Sequence, residues 1–176
     1  MRKAFSRSRV VMGTRQPKSL RKMLIRSKFS MSPPPPRLIT DKPGLFSCFK
    51  CIYHENQFII PCSEFRFGKF KWIYTRRFDC DSKNVIYILK CNGCRQFYMG
   101  ETMDFKQRTT QHKSDYAHPH NSNCKKLMNH LRGCSKIEPY FTIFPIYFVD
   151  DPAKRLFIEK RMILYFQPSL NSDSTY

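Results

Sequence analysis

Two apolar runs joined by a cysteine-bearing turn constrain this chain more than any other feature. Asn84 to Lys90 (NVIYILK) is rich in β-branched and aromatic residues and reads as a buried strand. Cys91 to Cys94 (CNGC) follows as a glycine-containing turn, and Gln96 to Gly100 (QFYMG) as the returning strand. The spacing predicts a β-hairpin with a cysteine knuckle at its tip. Asp104 then offers a helix cap, and a helix is expected over Phe105 to Tyr116, where Arg108 and His112 lie four apart and share a face. A second helix is expected from Lys125 to Arg132, with Gly133 as its stop. Tyr140 to Val149 reads as a further strand, edge or bulged because of Pro145. Asp151-Pro152 caps and opens a last helix that ends before Pro168. The order β-β-α-α-β-α is that of a small α+β domain with a mainly antiparallel sheet flanked by helices.

Charge points to the partner. The chain has 32 Lys and Arg against 13 Asp and Glu, a formal +19, which favours phosphate backbones first and anionic membrane surfaces second. An aromatic share of 15% can build a core, so a wholly disordered chain is excluded. No apolar run approaches the roughly 18 residues of a membrane span, and no signal-peptide core stands near the N-terminus. Eight cysteines without an export signal suggest a reducing compartment, where Cys-x-x-Cys pairs more often hold metal than disulfides. Residues 1 to 50 carry thirteen Lys/Arg and one acid, Asp41. Residues 1–44 therefore read as a basic, Pro-rich, largely flexible arm. It includes Lys18 to Lys28, which could turn helical on a polyanion, and the spacer Pro33 to Pro36. Residues 45–83 read as a cysteine-containing linker, 84–172 as the folded domain and 173–176 as a tail.

Several side chains carry candidate chemistry. In the last helix Leu156, Ile163 and Phe166 mark an expected buried stripe, and Glu159 falls inside it. A carboxylate there is costly unless it is paired, hydrogen-bonded or holding a metal. Cys91, Cys94, His130 and Cys134 fit a tetrahedral Zn²⁺ site stapling the hairpin tip to the second helix, with His118, His120 and Cys124 as competing ligands. A possible second zinc site uses Cys48, Cys51 and Cys80, completed by His54 or Cys62; the segment Phe58 to Phe78 between looks like two strands of a zinc ribbon. Phe65 to Arg77 (FRFGKFKWIYTRR) alternates aromatic and basic residues and reads as a strand with one face of each kind. Lys69, Lys71, Trp72, Arg76 and Arg77 are its candidate nucleic-acid contacts.

Taken in order, Ile86-Tyr87, Tyr98-Met99-Gly100 eleven residues after Tyr87, Arg108, His112, Glu159 and Pro168 to Asn171 resemble the GIY-YIG endonuclease family. Val85 stands where the family name has glycine, and Met99 where it has isoleucine. With Cys91-x-x-Cys94 between the tyrosine motifs, Asn84 to Thr102 is similar to the endonuclease of Penelope-like retroelements, which show a Cys-Cys-His-His arrangement. The resemblance implies metal-dependent DNA cutting or nicking, with RNA as a second candidate substrate. Glu159 would hold one Mg²⁺ or Mn²⁺, and Arg108 would grip the scissile phosphate. Tyr87 would position or deprotonate the water, with Tyr98 completing the network. His112 would relay a proton, and Asn171 would brace the site. The expected location is nuclear. The chain is further expected to be a remnant of a mobile element without its reverse transcriptase. The rival expectation is a basic, zinc-containing protein that binds nucleic acid without cutting it.

Overall fold

A computed structural model describes residues 42–48, 51–94, 96–119, 122–134 and 138–171. The chain divides into two units, 1–40 and 41–176. The amphipathic stretch Lys18 to Lys28 and the proline run Pro33 to Pro36 lie outside the described residues, as does His120.

The second unit is organised around a three-stranded antiparallel sheet. Its strands are β5 (Lys83–Cys91), β6 (Phe97–Asp104) and β7 (Phe141–Phe148), in the order β6-β5-β7. Val85 to Leu89 are all buried, which is the state of a central strand covered on both faces. Pro145 sits on edge strand β7, where its missing N–H costs no ladder bond. The register with β5 shifts beside it, from Ile86 opposite Tyr147 to Tyr87 opposite Pro145. The proline is thus at an edge and at a bulge together.

Helix α2 (Phe105–Ala117) begins at Asp104, whose carboxylate accepts from the Gln107 amide at 2.8 Å. That amide, with Lys83, holds the Asp104 carboxyl below its ordinary range. Helix α3 (Lys125–Cys134) runs through Gly133 rather than stopping at it. Helix α4 (Pro152–Phe166) opens on Asp151 and Pro152 and closes with Gln167 in the left-handed region, just ahead of Pro168. The elements expected from residue 84 onward are therefore present, in the expected order.

Ahead of the sheet come β1 (Gly44–Leu45), the single-turn α1 (Ile52–Glu55), β2 (Glu64–Phe67), β3 (Phe70–Ile73) and β4 (Arg77–Phe78). Of the two readings of this region, two strands within Phe58 to Phe78 is the one observed: Phe65 to Arg77 is not a single strand but contains an antiparallel hairpin, β2 against β3, turning at Gly68 with φ 51°. A helpful consequence is that its rings reach the core: Phe65 stacks on Phe144 at 4.0 Å, and Phe67 meets both Phe97 and Phe166 edge-on. This hairpin and α4 cover the sheet face that carries Ile88 and Phe144, and α2 covers the face that carries Tyr87.

Helix α4 departs from its expected stripe. Leu156 is 45% exposed, and Phe157, Leu164 and Tyr165 also face outward. The residue that goes inside is Arg155, only 2% exposed. Its Nε donates to Glu101 Oε2 at 2.6 Å, and Nη1 donates to the Val149 carbonyl at 3.0 Å and Asn84 Oδ1 at 3.2 Å. A buried guanidinium with this many acceptors is satisfied, whereas its removal strands a carboxylate and a carbonyl. Arg155→Ala is expected to lower the unfolding free energy by about 3 kcal/mol. Glu101→Gln should cost less, because that carboxylate is half-buried; urea denaturation of both variants measures the difference.

Candidate active site

The site is built on the middle of the β5–β6 hairpin. Tyr87 on β5 is 0% exposed and pairs across the sheet with Gly100 on β6. Its ring lies over that glycine. A Cβ at position 100 would meet the Tyr87 Oη at 2.6 Å and Cζ at 2.8 Å, so the close approach requires glycine. Tyr98 lies two residues before Gly100, half-buried, with its ring centroid 6.3 Å from that of Tyr87.

Helix α2 supplies the partners that make a buried phenol tolerable. Arg108 Nε donates to Tyr87 Oη at 2.9 Å, and His112 Nε2 stands 2.9 Å from the same oxygen. The two residues are one helical turn apart, as their spacing predicts. Burial, reinforced by the nearby Arg108 charge, pushes the His112 imidazole down to about 3. At neutral pH it is therefore uncharged, an acceptor or donor in a fixed hydrogen bond. Burial raises the Tyr87 phenol well above its ordinary range, and Arg108 opposes part of that rise.

The remaining residues face a cleft of about 140 Å³ lined by Tyr98, Cys124, Glu159 and Asn171, with Lys125 and Lys126 at the start of α3. Tyr98, not Tyr87, is the tyrosine on the cleft wall. The Cys124 thiol lies 3.8 Å from the Tyr98 hydroxyl, so this cysteine belongs to the cleft, and among the described residues it joins no metal-binding cluster. Asn171 braces β6 from outside: its Oδ1 accepts from the Met99 N–H at 2.9 Å and its Nδ2 donates to the Met99 carbonyl at 2.8 Å. Glu159 is half-buried, and desolvation, with Glu101 adding like charge, pushes its carboxyl up to about 7. Arg108 and Lys160 offset only part of that rise.

The two cysteine groups also assemble. Ligand atoms of Cys91, Cys94, His130 and Cys134 all lie within 4.8 Å of one another, with Cys94 Sγ 3.3 Å from His130 Nε2. His130 and Cys134 reach the knuckle from one face of α3. A Cβ on Gly93 would meet the Cys134 carbonyl oxygen at 2.6 Å, so the turn is glycine-dependent where it touches the helix. In the second group Cys48, Cys51, His54 and Cys80 come equally close, and Cys48 is joined to Cys80 by a disulfide. His54, not Cys62, completes this set. His118 belongs to neither group.

The candidate nucleic-acid contacts of this segment take several partners within the fold. Lys71 pairs with Glu64 at 2.7 Å, Lys69 lies over Phe70, Arg76 over Phe148 at 4.3 Å and Arg77 over Phe46 at 4.1 Å. Trp72 is half-buried, while Phe65, Phe67 and Tyr74 are turned into the core. The side of this segment open to a polyanion is therefore its basic side. Arg155 is the site-shaping residue that pattern reasoning passes over, and Cys124, a candidate zinc ligand by sequence, lies instead beside Tyr98. Arg155 stands one helical turn before Glu159, and that spacing was the available signal.

Residues 83–167 match the family model of the GIY-YIG catalytic domain. The matched segment contains the whole three-stranded sheet and helices α2 to α4, and the family whose model it matches is one of nucleases. No curated protein and no solved structure matches the chain. Among the described residues no helix is long and apolar enough to cross a membrane.

Two outcomes follow from this geometry. Gly100→Ala is expected to displace the Tyr87 ring at a cost of about 1–3 kcal/mol, measurable by denaturant unfolding. Glu159 has a folded-state pKa above the ordinary 4.5, so the folded state binds that proton more tightly than the unfolded chain. The resulting stability is fully present below pH 4.5 and lost as pH rises through about 7. Without divalent ions, Glu159→Gln should therefore melt higher than the parent at pH 8, with the gap closing by pH 4.5; thermal scans across that range test it.

Proposed function

We propose that this chain is a divalent-metal-dependent DNA endonuclease of the GIY-YIG type, derived from a Penelope-like mobile element. The observation that carries the reading is the Tyr87–Arg108–His112 hydrogen-bonded group set behind a cleft that holds Tyr98 and Glu159, all within the matched segment.

Hydrolysis of a phosphodiester needs a directed water, relief of charge on the phosphate and a stabilised leaving oxygen. Glu159 would hold one Mg²⁺ or Mn²⁺, which when bound supplies positive charge to the phosphate oxygens. Arg108 is oriented by its Nε bond to Tyr87 and lends a fixed fork of donors to the scissile phosphate. Tyr98 directs water on the cleft side. Tyr87 anchors Arg108 and orders the hydroxyl network, with its phenolic proton directed to neutral His112. Asn171 keeps β6, and with it Tyr98, in register. Lys125 and Lys126 add positive charge where the substrate backbone enters.

Cys91, Cys94, His130 and Cys134 would hold a structural Zn²⁺ that fixes the hairpin tip to α3, the helix whose start lines the cleft. The origin in a Penelope-like element rests on the resemblance of Asn84 to Thr102, and nuclear location on the DNA substrate together with the basic arm.

Nicking of supercoiled plasmid in Mg²⁺ or Mn²⁺ tests the reading. The parent should nick, while Glu159→Gln and Arg108→Ala should each lose about 10²–10³-fold and still bind DNA. Tyr87→Phe should lose activity with them. If parent and variants bind alike and none cuts, the endonuclease reading fails and the non-cutting nucleic-acid-binding reading replaces it.

A further inference from the structure

A second set of metal-binding side chains lies apart from the cleft and from the knuckle, and the nuclease reading makes no use of it. Cys48, Cys51, His54 and Cys80 present one donor atom each, all within 4.8 Å of one another. Tetrahedral zinc with sulfur ligands at roughly 2.3 Å sets its ligand atoms about 3.8 Å apart, so small side-chain movements suffice to close a shell. Three sulfurs and an imidazole, with no carboxylate among them, are a donor set that favours zinc over magnesium or calcium.

The backbone explains why these residues meet. β1 and β4 form a short parallel ladder, with Gly44 opposite Arg77 and Leu45 opposite Phe78, and the Phe46 N–H donates to the Phe78 carbonyl at 2.9 Å. Just beyond that ladder, three residues past Leu45 and two past Phe78, Cys48 and Cys80 lie side by side with their Cα atoms 6.4 Å apart. Cys51 caps α1, and the His54 N–H donates to the Cys51 carbonyl at 3.0 Å, so Cys51 and His54 lie on one side of a single helical turn. His54 Nδ1 points at Cys48 Sγ, 3.6 Å away. A four-residue helix gains little stability from its own hydrogen bonds and needs tertiary fixation. It also has a job to do. Tyr53, between Cys51 and His54, hydrogen-bonds through its hydroxyl to Thr110 on α2, and Lys113 of α2 lies 4.7 Å from the Phe58 ring centroid and 5.7 Å from that of Tyr53. α2 is the helix that carries Arg108 and His112.

We propose that Cys48, Cys51, His54 and Cys80 form a structural zinc site in the reduced protein, and that this site fixes α1 as a prop for helix α2. The disulfide between Cys48 and Cys80 is the metal-free oxidised alternative. Two thiol groups of a reductant open it to two cysteine thiols, giving up two electrons and their two protons and leaving as a disulfide; a phosphine does the same with one water, which supplies both protons and the oxygen of the phosphine oxide. On zinc binding the three cysteines release their protons to solvent, and His54 enters as neutral imidazole.

The test uses the full chain, purified under reductant, with bound zinc counted by elemental analysis. Two zinc ions per chain are expected. Cys51→Ser, which leaves the Cys48–Cys80 pair intact, should reduce the count by one; Cys91→Ser should separately remove the other. Alkylation of the native parent followed by peptide mass mapping needs no variant. It should find Cys48, Cys51 and Cys80 protected until a chelator strips the metal. The proposal is overturned if the parent's zinc is lost wholly with Cys91→Ser while Cys51→Ser retains the parent's count. It is equally overturned if Cys48, Cys51 and Cys80 are alkylated while zinc is present, or if Cys48 and Cys80 remain disulfide-linked in the reduced, zinc-loaded chain. Loss of nicking activity alone bears on the nuclease reading and leaves this count unchanged.

Discussion

A phenol buried without access to water is the constraint around which this domain is arranged. An unpartnered hydroxyl at the Tyr87 position would cost several kcal/mol, by the ordinary penalty for burying an unsatisfied polar group. The fold meets that requirement with Arg108 Nε and His112 Nε2, each 2.9 Å from the oxygen. The arrangement dictates much else. α2 must start close to the end of β6, which Asp104 achieves by being the last residue of one and the cap of the other. The strand opposite Tyr87 must have no side chain where the ring crosses, which makes position 100 glycine. His112 must be neutral to sit there, and burial makes it so.

A second electrostatic division explains why one of two neighbouring glutamates is suited to a cation. Glu101 and Glu159 are close enough to raise each other's energy when both are charged, but only Glu101 has the buried Arg155 guanidinium at 2.6 Å. Arg155 is occupied further by Asn84 on β5 and by the Val149 carbonyl just past β7, so it ties the three strands together. Glu159, one helical turn further along α4, faces the cleft with its carboxyl raised toward neutrality. The same helix therefore contributes a cation that holds the scaffold together and, one turn on, a carboxyl that burial and Glu101 raise toward neutrality at the cleft.

The parts of this molecule legible in the sequence are those set by local chemistry. The hairpin, the Asp104 and Asp151 caps, the bulge at Pro145 and the end of α4 before Pro168 all follow from turn, capping and proline rules acting within a few residues. The meeting of Tyr87 with Arg108 and His112 came from motif order. What pattern alone misplaced depends on contacts between distant segments. Apolar side chains usually go inward, which puts Leu156 in the expected α4 stripe, yet Arg155 goes inward because Glu101, Val149 and Asn84 accept its hydrogen bonds there. Phe65 to Arg77 became a hairpin because Gly68 adopts a positive φ, and its aromatic face met Phe144 and Phe166 instead of solvent. Cys124 looked like one more candidate zinc ligand; only the folded chain sets it beside Tyr98.

The cysteines finally make sense as a pair of clamps on one strand. Small domains bury too little apolar surface to hold a cleft rigid by packing alone, and cross-links are the usual supplement. β5 carries Tyr87 near its middle; Cys91 closes its C-terminal end, and Cys80 stands three residues before its start at Lys83. Through Cys91 the strand is gathered with Cys94, His130 and Cys134, which reach it from the helix whose other end lines the cleft. Through Cys80 it is gathered with Cys48, Cys51 and His54, next to Tyr53 and its contact with α2. Both ends of the strand are thus tied to the two helices that flank the reactive groups. With zinc in both clusters, as proposed above, a displacement of Tyr87 along the strand would have to break a metal–ligand bond at one end or the other, and a thin three-stranded sheet could so hold a buried hydroxyl within hydrogen-bonding distance of two side chains on a separate helix.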